Sequence, residues 1–172
     1  AAFGRTGQLW AFSSYDIVPD ILVLGKALGG GMPLGAFITD KNWMDKLTDA
    51  PVLGHITTFG GHPVCCAAGL AGMNALLEEG WMNQVAAKEK LLHQKLQHRA
   101  IRSVRSAGLW MAVEFESFEQ CKKVIDYCIT RGVLTDWFLF ASNSLRISPP
   151  LLIHEKQLEK AASIIIEACD QL

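Results

Sequence analysis

The sequence predicts an α/β protein whose C-terminal part is an α+β subdomain. Short apolar runs alternate with stretches of helical spacing along the 172 residues. Beyond residue 98 the pattern changes to paired strand-like runs mixed with amphipathic helices, which is typical of a sheet covered by helices. Half of the residues are hydrophobic and 19% are charged, which is ample material for a core. We therefore expect two parts, residues 1–98 and residues 99–172.

The first part is predicted to begin with two short buried strands on either side of a glycine-rich turn. Its expected elements are, in order, strands over 17–24 and 35–38 and helices over 41–47, 62–77 and 82–98. A loop over 49–61 carries turn residues. Pro63 suits the first turn of the long helix, and Gly80 punctuates the chain after it.

The second part is predicted to alternate strand pairs with two amphipathic helices. Its expected elements are strands over 101–106, 109–115, 133–140 and 144–147 and helices over 118–129 and 154–172. A turn at Gly108 joins the first two strands, and Gly132 ends the first helix. The closing helix presents one apolar stripe at helical spacing. That stripe comprises Leu158, Ala162, Ile165 and Cys169.

Lys26 is the first candidate for chemistry. It follows an apolar run, precedes a cluster of glycines and is the only cation between Arg5 and Lys41. An amine that acts as a nucleophile must lose its proton, and an apolar setting favours the neutral form. Glycines let a flat ligand approach the backbone. The pattern indicates a Schiff-base lysine, although a glycine-rich turn with an incidental lysine fits the local sequence too.

Spacing excludes two nucleotide-binding alternatives for the same segment. A P-loop needs a glycine five residues before Gly25 and a hydroxyl residue after Lys26, but those positions hold Asp20 and Ala27. A dinucleotide fingerprint that starts at Gly29 would need a glycine at position 34, which is Leu34.

Six segments together resemble the class-III pyridoxal-phosphate aminotransferases, which include ornithine, acetylornithine and 4-aminobutyrate aminotransferases. They are residues 3–7 (FGRTG), 19–22 (PDIL), 25–31 (GKALGGG), 33–36 (PLGA), 57–63 (TTFGGHP) and 145–151 (LRISPPL). The resemblance spans nearly the whole chain and keeps the order of the family's motifs. It implies a fragment of the fold-type-I large domain, with a mostly parallel sheet, followed by an α+β small domain.

The resemblance implies that Lys26 forms the Schiff base with pyridoxal 5'-phosphate and then moves protons between substrate and cofactor. Thr58 matches the threonine that reaches the cofactor phosphate of the neighbouring subunit, which implies a homodimer with shared active sites. On its own, a β-branched pair beside a loop would fit that position equally well. Many family members have Asn where this chain has His62, so we expect the local hydrogen bonding to differ there.

Arg146 matches the family arginine that binds the α-carboxylate of glutamate or 2-oxoglutarate. A guanidinium binds a carboxylate through two parallel hydrogen bonds, and Pro149 and Pro150 stiffen the backbone beside it. The residue alone is also typical of a surface ion pair. For Arg5, a role in loop structure is expected.

The activity implied is transamination from an amino acid (ornithine, acetylornithine or a similar ω-amino donor) to a keto acid such as 2-oxoglutarate. An aminomutase or decarboxylase of the same fold and a non-catalytic dimerisation fragment are the alternatives. Family members are roughly 400 residues long, so the chain looks like their C-terminal part only. We therefore expect the isolated chain to be inactive and prone to associate through exposed apolar surface.

Composition indicates which classes of binding partner and which cellular compartment to expect. The formal net charge is −1 without a basic stripe, which argues against nucleic acid. No apolar run reaches the ~20 residues of a membrane span. Five cysteines with no Cys-x-x-Cys pattern suggest neither a zinc site nor a disulfide framework, and reduced thiols favour the cytoplasm.

Overall fold

The computed structural model describes residues 2–172, which form two compact units. The N-terminal unit comprises residues 2–3 together with Gln8–Gly80, and the C-terminal unit comprises Gly4–Gly7 together with Trp81–Leu172. The predicted division at residue 98 concerns the domains of a whole enzyme and stays a prediction. None of the helices in the described residues is long and apolar enough to cross a membrane.

The N-terminal unit is built on one strand pair and one long helix. Its elements are β1 (Ile21–Leu24), β2 (Ala36–Thr39), α1 (Lys41–Asp45) and α2 (Pro63–Glu78). The strands are antiparallel, with Leu24 opposite Ala36 and Ile21 opposite Thr39. The Asp40 carboxylate accepts a hydrogen bond from the Asn42 N–H and so caps α1. All four elements were predicted close to these positions.

The burial predicted for the two strands is wrong within this chain. Ile21 is 46% exposed, Val23 is 75% exposed and Ile38 is 54% exposed. A two-stranded sheet cannot bury both of its faces by itself. The apolar pattern therefore predicted the strands correctly, but no other element within residues 2–172 covers them. Among residues 2–172, the N-terminal unit contributes one antiparallel strand pair, and the mostly parallel sheet expected of the whole large domain stays a prediction.

The C-terminal unit is a four-stranded antiparallel sheet packed with three helices. Its elements are α3 (Val85–Lys95), β3 (Ser103–Ser106), β4 (Met111–Glu114), α4 (Phe118–Thr130), β5 (Asp136–Phe138), β6 (Ala141–Ile147) and α5 (Glu155–Cys169). The strand order is β3-β4-β6-β5. A 3₁₀ turn over Trp81–Gln84 leads into α3, so the helix predicted over 82–98 is shorter at both ends. The predicted α+β arrangement is confirmed.

A continuous hydrophobic core holds the C-terminal unit together. Phe115, Met111 and Leu145 are fully buried in the sheet, and they belong to one cluster with side chains of α3, α4 and α5. The stripe predicted on α5 is confirmed, since all four of its members are buried. Burying apolar side chains of this size contributes roughly 1.5–3 kcal/mol each. This core fixes the sheet on which Arg146 lies.

Candidate functional site

Lys26 lies at the start of a tight turn directly after β1. Gly25 separates it from the strand, and a 3₁₀ turn runs over Lys26–Gly29. The backbone of Lys26 has φ of +53°, a left-handed conformation that is uncommon for a residue with a side chain. The side chain is exposed. Within residues 2–172 its amine has no carboxylate within ion-pairing distance and no hydrogen-bond partner, and the described residues do not provide the apolar surroundings that the sequence predicted for it.

Close backbone packing against α2 holds this turn in place. A Cβ on Gly30 would lie 2.2 Å from the Ala68 carbonyl oxygen, and one on Gly69 would lie 2.7 Å from the Leu28 carbonyl oxygen. Only glycine permits such an approach at these two positions. By contrast, a Cβ on Gly25 or Gly31 would meet nothing within 4 Å. The turn is therefore anchored on one side and open on the side where a flat ligand could lie.

Thr58 lies in the turns that lead into α2. The Gly60 N–H donates to the Thr57 carbonyl oxygen at 3.1 Å, and the His62 N–H donates to the Phe59 carbonyl oxygen at 3.2 Å. Thr58 itself is exposed, and its hydroxyl makes no hydrogen bond in the part of the chain that the structure describes. A free hydroxyl beside a glycine turn is a suitable donor for an anionic group.

His62 keeps the capping interaction that an Asn would supply. Its Nδ1 accepts a hydrogen bond from the Val64 N–H at 3.3 Å at the first turn of α2. Asn is a preferred N-cap residue for the same reason. The departure from the family pattern at this position therefore preserves the start of the helix.

Arg146 lies on β6 directly opposite Asp136 on β5. Its Nε donates to one carboxylate oxygen of Asp136 at 2.7 Å, and its Nη2 donates to the other. The Arg146 carbonyl oxygen accepts a hydrogen bond from the Thr135 hydroxyl at 2.6 Å. Nη1 makes no hydrogen bond among the described residues. Asp136 therefore fixes the plane of the guanidinium and leaves one edge available.

Sequence reasoning missed Asp136. The strands predicted over 133–140 and 144–147 form a hairpin, and an antiparallel hairpin centred near residue 141 brings positions 136 and 146 together. That signal was present in the strand pattern. A register shift between Trp137 and Phe138 obscures it, because a regular hairpin cannot be extrapolated through a bulge.

Arg5 connects two loops of the C-terminal unit. Its Nη1 donates to the Pro149 carbonyl oxygen at 2.5 Å and to the Leu109 carbonyl oxygen at 3.5 Å, while its own carbonyl oxygen accepts from the Leu109 N–H at 2.9 Å. Burial and, secondarily, the charge of Arg146 lower the pKa of Arg5 below its ordinary value. The predicted structural role of Arg5 is confirmed by these contacts.

A cavity of about 620 Å³ opens beside Arg146 in the C-terminal unit. Its polar lining includes Arg131, Asp136, Arg146, Gln157 and Lys160. Arg131 is paired with Glu167 at 3.2 Å, and Arg146 is paired with Asp136. Lys160 forms no ion pair with any residue in 2–172. The lining of the cavity therefore holds more cationic than anionic side chains, with Lys160 the cation that lacks a carboxylate partner among the described residues.

The predicted site residues divide between the two units. Lys26 and Thr58 belong to the N-terminal unit, and Arg146 belongs to the C-terminal unit.

Comparisons with known proteins converge on one family. The profile of the class-III aminotransferases matches residues 1–169. The chain is 32% identical to the acetylornithine aminotransferase of Caldanaerobacter subterraneus subsp. tengcongensis, covering 98% of this chain and 42% of that enzyme. It is 37% identical to the isoleucine 2-epimerase of Lentilactobacillus buchneri, covering 96% of this chain and 39% of that protein.

A solved structure agrees with these sequence matches. The acetylornithine aminotransferase of Elizabethkingia anophelis superposes with a TM-score of 0.86 at 30% identity, over 99% of this chain and 43% of that one. The chain thus spans about two-fifths of the length of the relatives that it matches.

Proposed function

Because this chain belongs to the class-III aminotransferases, we propose that it serves a pyridoxal-phosphate-dependent transamination. In this reaction an amino group passes from an amino-acid donor to a keto acid such as 2-oxoglutarate. The observation that carries the proposal is the free Lys26 amine on an anchored turn. Support for an ω-amino donor comes from a relative named acetylornithine aminotransferase.

Lys26 would hold the cofactor covalently, as a Schiff base through its Nζ. The residues around it fit such a group in three respects. The amine is unpaired among the described residues, Gly25 and Gly31 leave open space beside the turn, and backbone packing of Gly30 on α2 keeps the turn in register. Bound pyridoxal phosphate supplies an electron sink for a carbanion at the substrate carbon. When not bonded to the cofactor, the Lys26 amine can accept and return a proton.

Thr58 would donate its hydroxyl to the cofactor phosphate. The hydroxyl has no competing partner in residues 2–172, and the Thr57–Gly60 turn fixes the backbone beside it. In the family the matching threonine serves the neighbouring subunit, which supports a homodimer with shared active sites. A cytoplasmic location is part of the same proposal.

Arg146 would bind a carboxylate of the amino-acid or keto-acid substrate. Asp136 accepts one N–H from Nε and one from Nη2, so the edge formed by Nη1 and the second Nη2 N–H is left for a substrate carboxylate. Lys160 in the lining of the adjacent cavity favours the approach of an anion.

Borohydride trapping tests the central assignment. The chain is mixed with pyridoxal phosphate, reduced with borohydride, digested and mapped. The expected result is an absorbance band near ~420 nm and a label on Lys26, both absent in Lys26→Ala and retained in Lys41→Ala, which alters an exposed lysine of the same unit. A label spread over surface lysines in the complete enzyme would contradict the proposal. The isolated chain is expected to be inactive in turnover whatever its labelling.

A second candidate function is favoured by one relative. The chain is 37% identical to an isoleucine 2-epimerase, so the same lysine could return its proton without net transfer of nitrogen. An aminomutase or a decarboxylase of the same fold belongs to the same group of alternatives. Formation of glutamate from 2-oxoglutarate and an amino donor supports transamination, whereas inversion at the α-carbon of an amino acid without formation of keto acid supports epimerisation.

A further inference from the structure

The loop that follows Arg146 is tied down at two backbone carbonyls by two cationic side chains. The loop covers residues 148–151 and begins two residues after Arg146. Arg5 donates to the Pro149 carbonyl oxygen at 2.5 Å, and Lys88 donates to the Leu151 carbonyl oxygen at 2.6 Å. These donors come from residues 144 and 63 positions away in the sequence. The loop is therefore clamped from two separate parts of the C-terminal unit.

Lys88 is an unusual residue in such a place. It lies on α3 and is only 4% exposed, but it forms no ion pair within residues 2–172. Its amine has a single hydrogen-bond partner there, the Leu151 carbonyl oxygen. A buried polar side chain needs a hydrogen-bond partner, and an apolar side chain of similar length would fill the space without one. The charge is therefore not explained by stability alone.

Arg5, like Lys88, uses its side chain to bind backbone carbonyls and not a carboxylate. It is half-buried and donates to backbone carbonyls, and no carboxylate of the described residues lies within 4 Å of its guanidinium. A Cβ on Gly108 would lie 2.5 Å from the Arg5 carbonyl oxygen, so the Gly108 turn presses directly on this segment. That turn is itself held by Glu89, whose carboxylate accepts from the Gly108 N–H at 3.0 Å. Arg5 is thus fixed on a rigid support.

We propose that Arg5 and Lys88 are positioning residues for Arg146. By fixing the carbonyls of Pro149 and Leu151, they hold the end of β6 so that the Arg146 guanidinium meets a substrate carboxylate in one orientation. Pro149 carries the first clamped carbonyl and Pro150 lies between it and Leu151, and the locked φ angles of both prolines stiffen the clamped segment. This inference rests on the proposed role of Arg146.

The test measures carboxylate binding apart from turnover. In the complete enzyme, Arg5→Ala and Lys88→Met are each expected to raise the KM for 2-oxoglutarate about ten-fold, with kcat changed less than about two-fold. Calorimetric titration with 2-oxoglutarate is expected to show the same weakening of Kd. Arg5→Lys, which retains a donor for the Pro149 carbonyl, is expected to recover most of the affinity. Lys88→Met keeps the length of the side chain and tests the clamp even if Arg5→Ala does not fold.

Matched controls separate positioning from stability. Lys90→Met changes an exposed lysine of the same helix, and Arg99→Ala removes an exposed arginine, so both are expected to bind 2-oxoglutarate like the wild type. A lower active fraction with unchanged KM and Kd in the Arg5 and Lys88 variants would overturn the proposal and leave a structural role. If Arg146→Lys binds the keto acid as tightly as the wild type, the role proposed for Arg146 fails, and the positioning role fails with it.

Discussion

The two units of the chain differ sharply in how they are held together. All but two of the buried hydrophobic side chains in residues 2–172 lie in the C-terminal unit, the exceptions being Leu28 and Leu76. The N-terminal unit instead exposes large apolar side chains along its strands, loops and α2, among them Val18, Val23 and Phe59. One unit thus has a hydrophobic core of its own, and the other is held mainly by backbone hydrogen bonds and close glycine contacts.

The difference means that Lys26 and Arg146 have different structural support within this chain. Arg146 lies on a sheet whose core side chains Met111, Val113 and Leu145 are fully buried, and two side chains clamp the loop after it. Lys26 depends on one turn that is packed against one helix. A perturbation in the N-terminal unit should therefore change local geometry, whereas one in the C-terminal core should change the free energy of unfolding.

Amide hydrogen exchange should show the largest contrast between the units. The β1–β2 pair and the β4–β6 pair have the same antiparallel hydrogen-bond pattern, so a difference in protection reports burial and not pairing. In the 172-residue chain, the amides of β4 and β6 are expected to exchange at least about a thousand-fold more slowly than those of β1 and β2. Equal protection factors in the two pairs would refute the comparison.

Truncating one phenylalanine in each unit should separate their energetics. Phe115 is fully buried in the C-terminal core, and Phe59 is 79% exposed. Phe115→Ala is expected to lower the free energy of unfolding by about 3–5 kcal/mol, because it removes buried surface and leaves a cavity. Phe59→Ala is expected to change it by less than about 0.5 kcal/mol. Urea denaturation followed by circular dichroism measures both, and similar losses would mean that Phe59 has a partner in the folded chain.

Two neighbouring glycines test whether packing against α2 holds the Lys26 turn in place. Both have positive φ, +57° at Gly30 and +97° at Gly31, but only Gly30 touches α2. In Gly30→Ala the new methyl group would overlap the Ala68 carbonyl oxygen, so the turn must move away from the helix. We expect the rate of cofactor trapping at Lys26 to fall about ten-fold in Gly30→Ala and about three-fold in Gly31→Ala, where only backbone strain acts. Peptide mapping after borohydride reduction gives both rates, and a greater loss in Gly31→Ala would exclude the packing explanation.

Most elements of the fold could be predicted because their sequence patterns are local. The stripe on α5 repeats at helical spacing, and Gly108 and Gly132 lie at positive φ where a turn and a helix end were expected. The burial of β1 and β2 could not be predicted correctly. An apolar strand pattern shows that a strand is buried in the complete fold, but it does not show which elements cover that strand.

The candidate site was predictable only in part, for a related reason. Lys26, Thr58 and Arg146 stand in recognisable motifs, and their proposed roles follow from the resemblance. The residues that contact Arg146 and the loop after it do not lie in recognisable motifs. Lys88 contacts a carbonyl 63 residues away, and a contact between a side chain and a distant backbone oxygen leaves no trace in the spacing of residues.

The cysteines offer the smallest and most local test of the contrast. Cys121, Cys128 and Cys169 are buried in the C-terminal unit, whereas Cys66 is exposed on α2. A thiol reagent added to the native chain at neutral pH is expected to modify Cys66 rapidly and the three buried thiols only as the C-terminal unit unfolds. Rapid labelling of Cys128 in the native chain would show that the core opens easily.

The three buried thiols make the C-terminal unit less stable as the pH becomes alkaline. Burial raises the pKa of Cys121 and of Cys128 to about 11, and burial together with the charges of Cys128 and Asp170 raises that of Cys169 to about 12. In the unfolded chain a thiol ionises near about pH 8.5, so above that pH the unfolded state binds fewer protons than the folded state. The contribution of the buried thiols to the free energy of unfolding is therefore complete below about pH 8.5, and it is lost as the pH rises towards 11. Urea midpoints between pH 7 and 10.5 should fall less steeply in Cys128→Ala than in the unsubstituted chain, because the substitution removes a thiol that the fold keeps protonated.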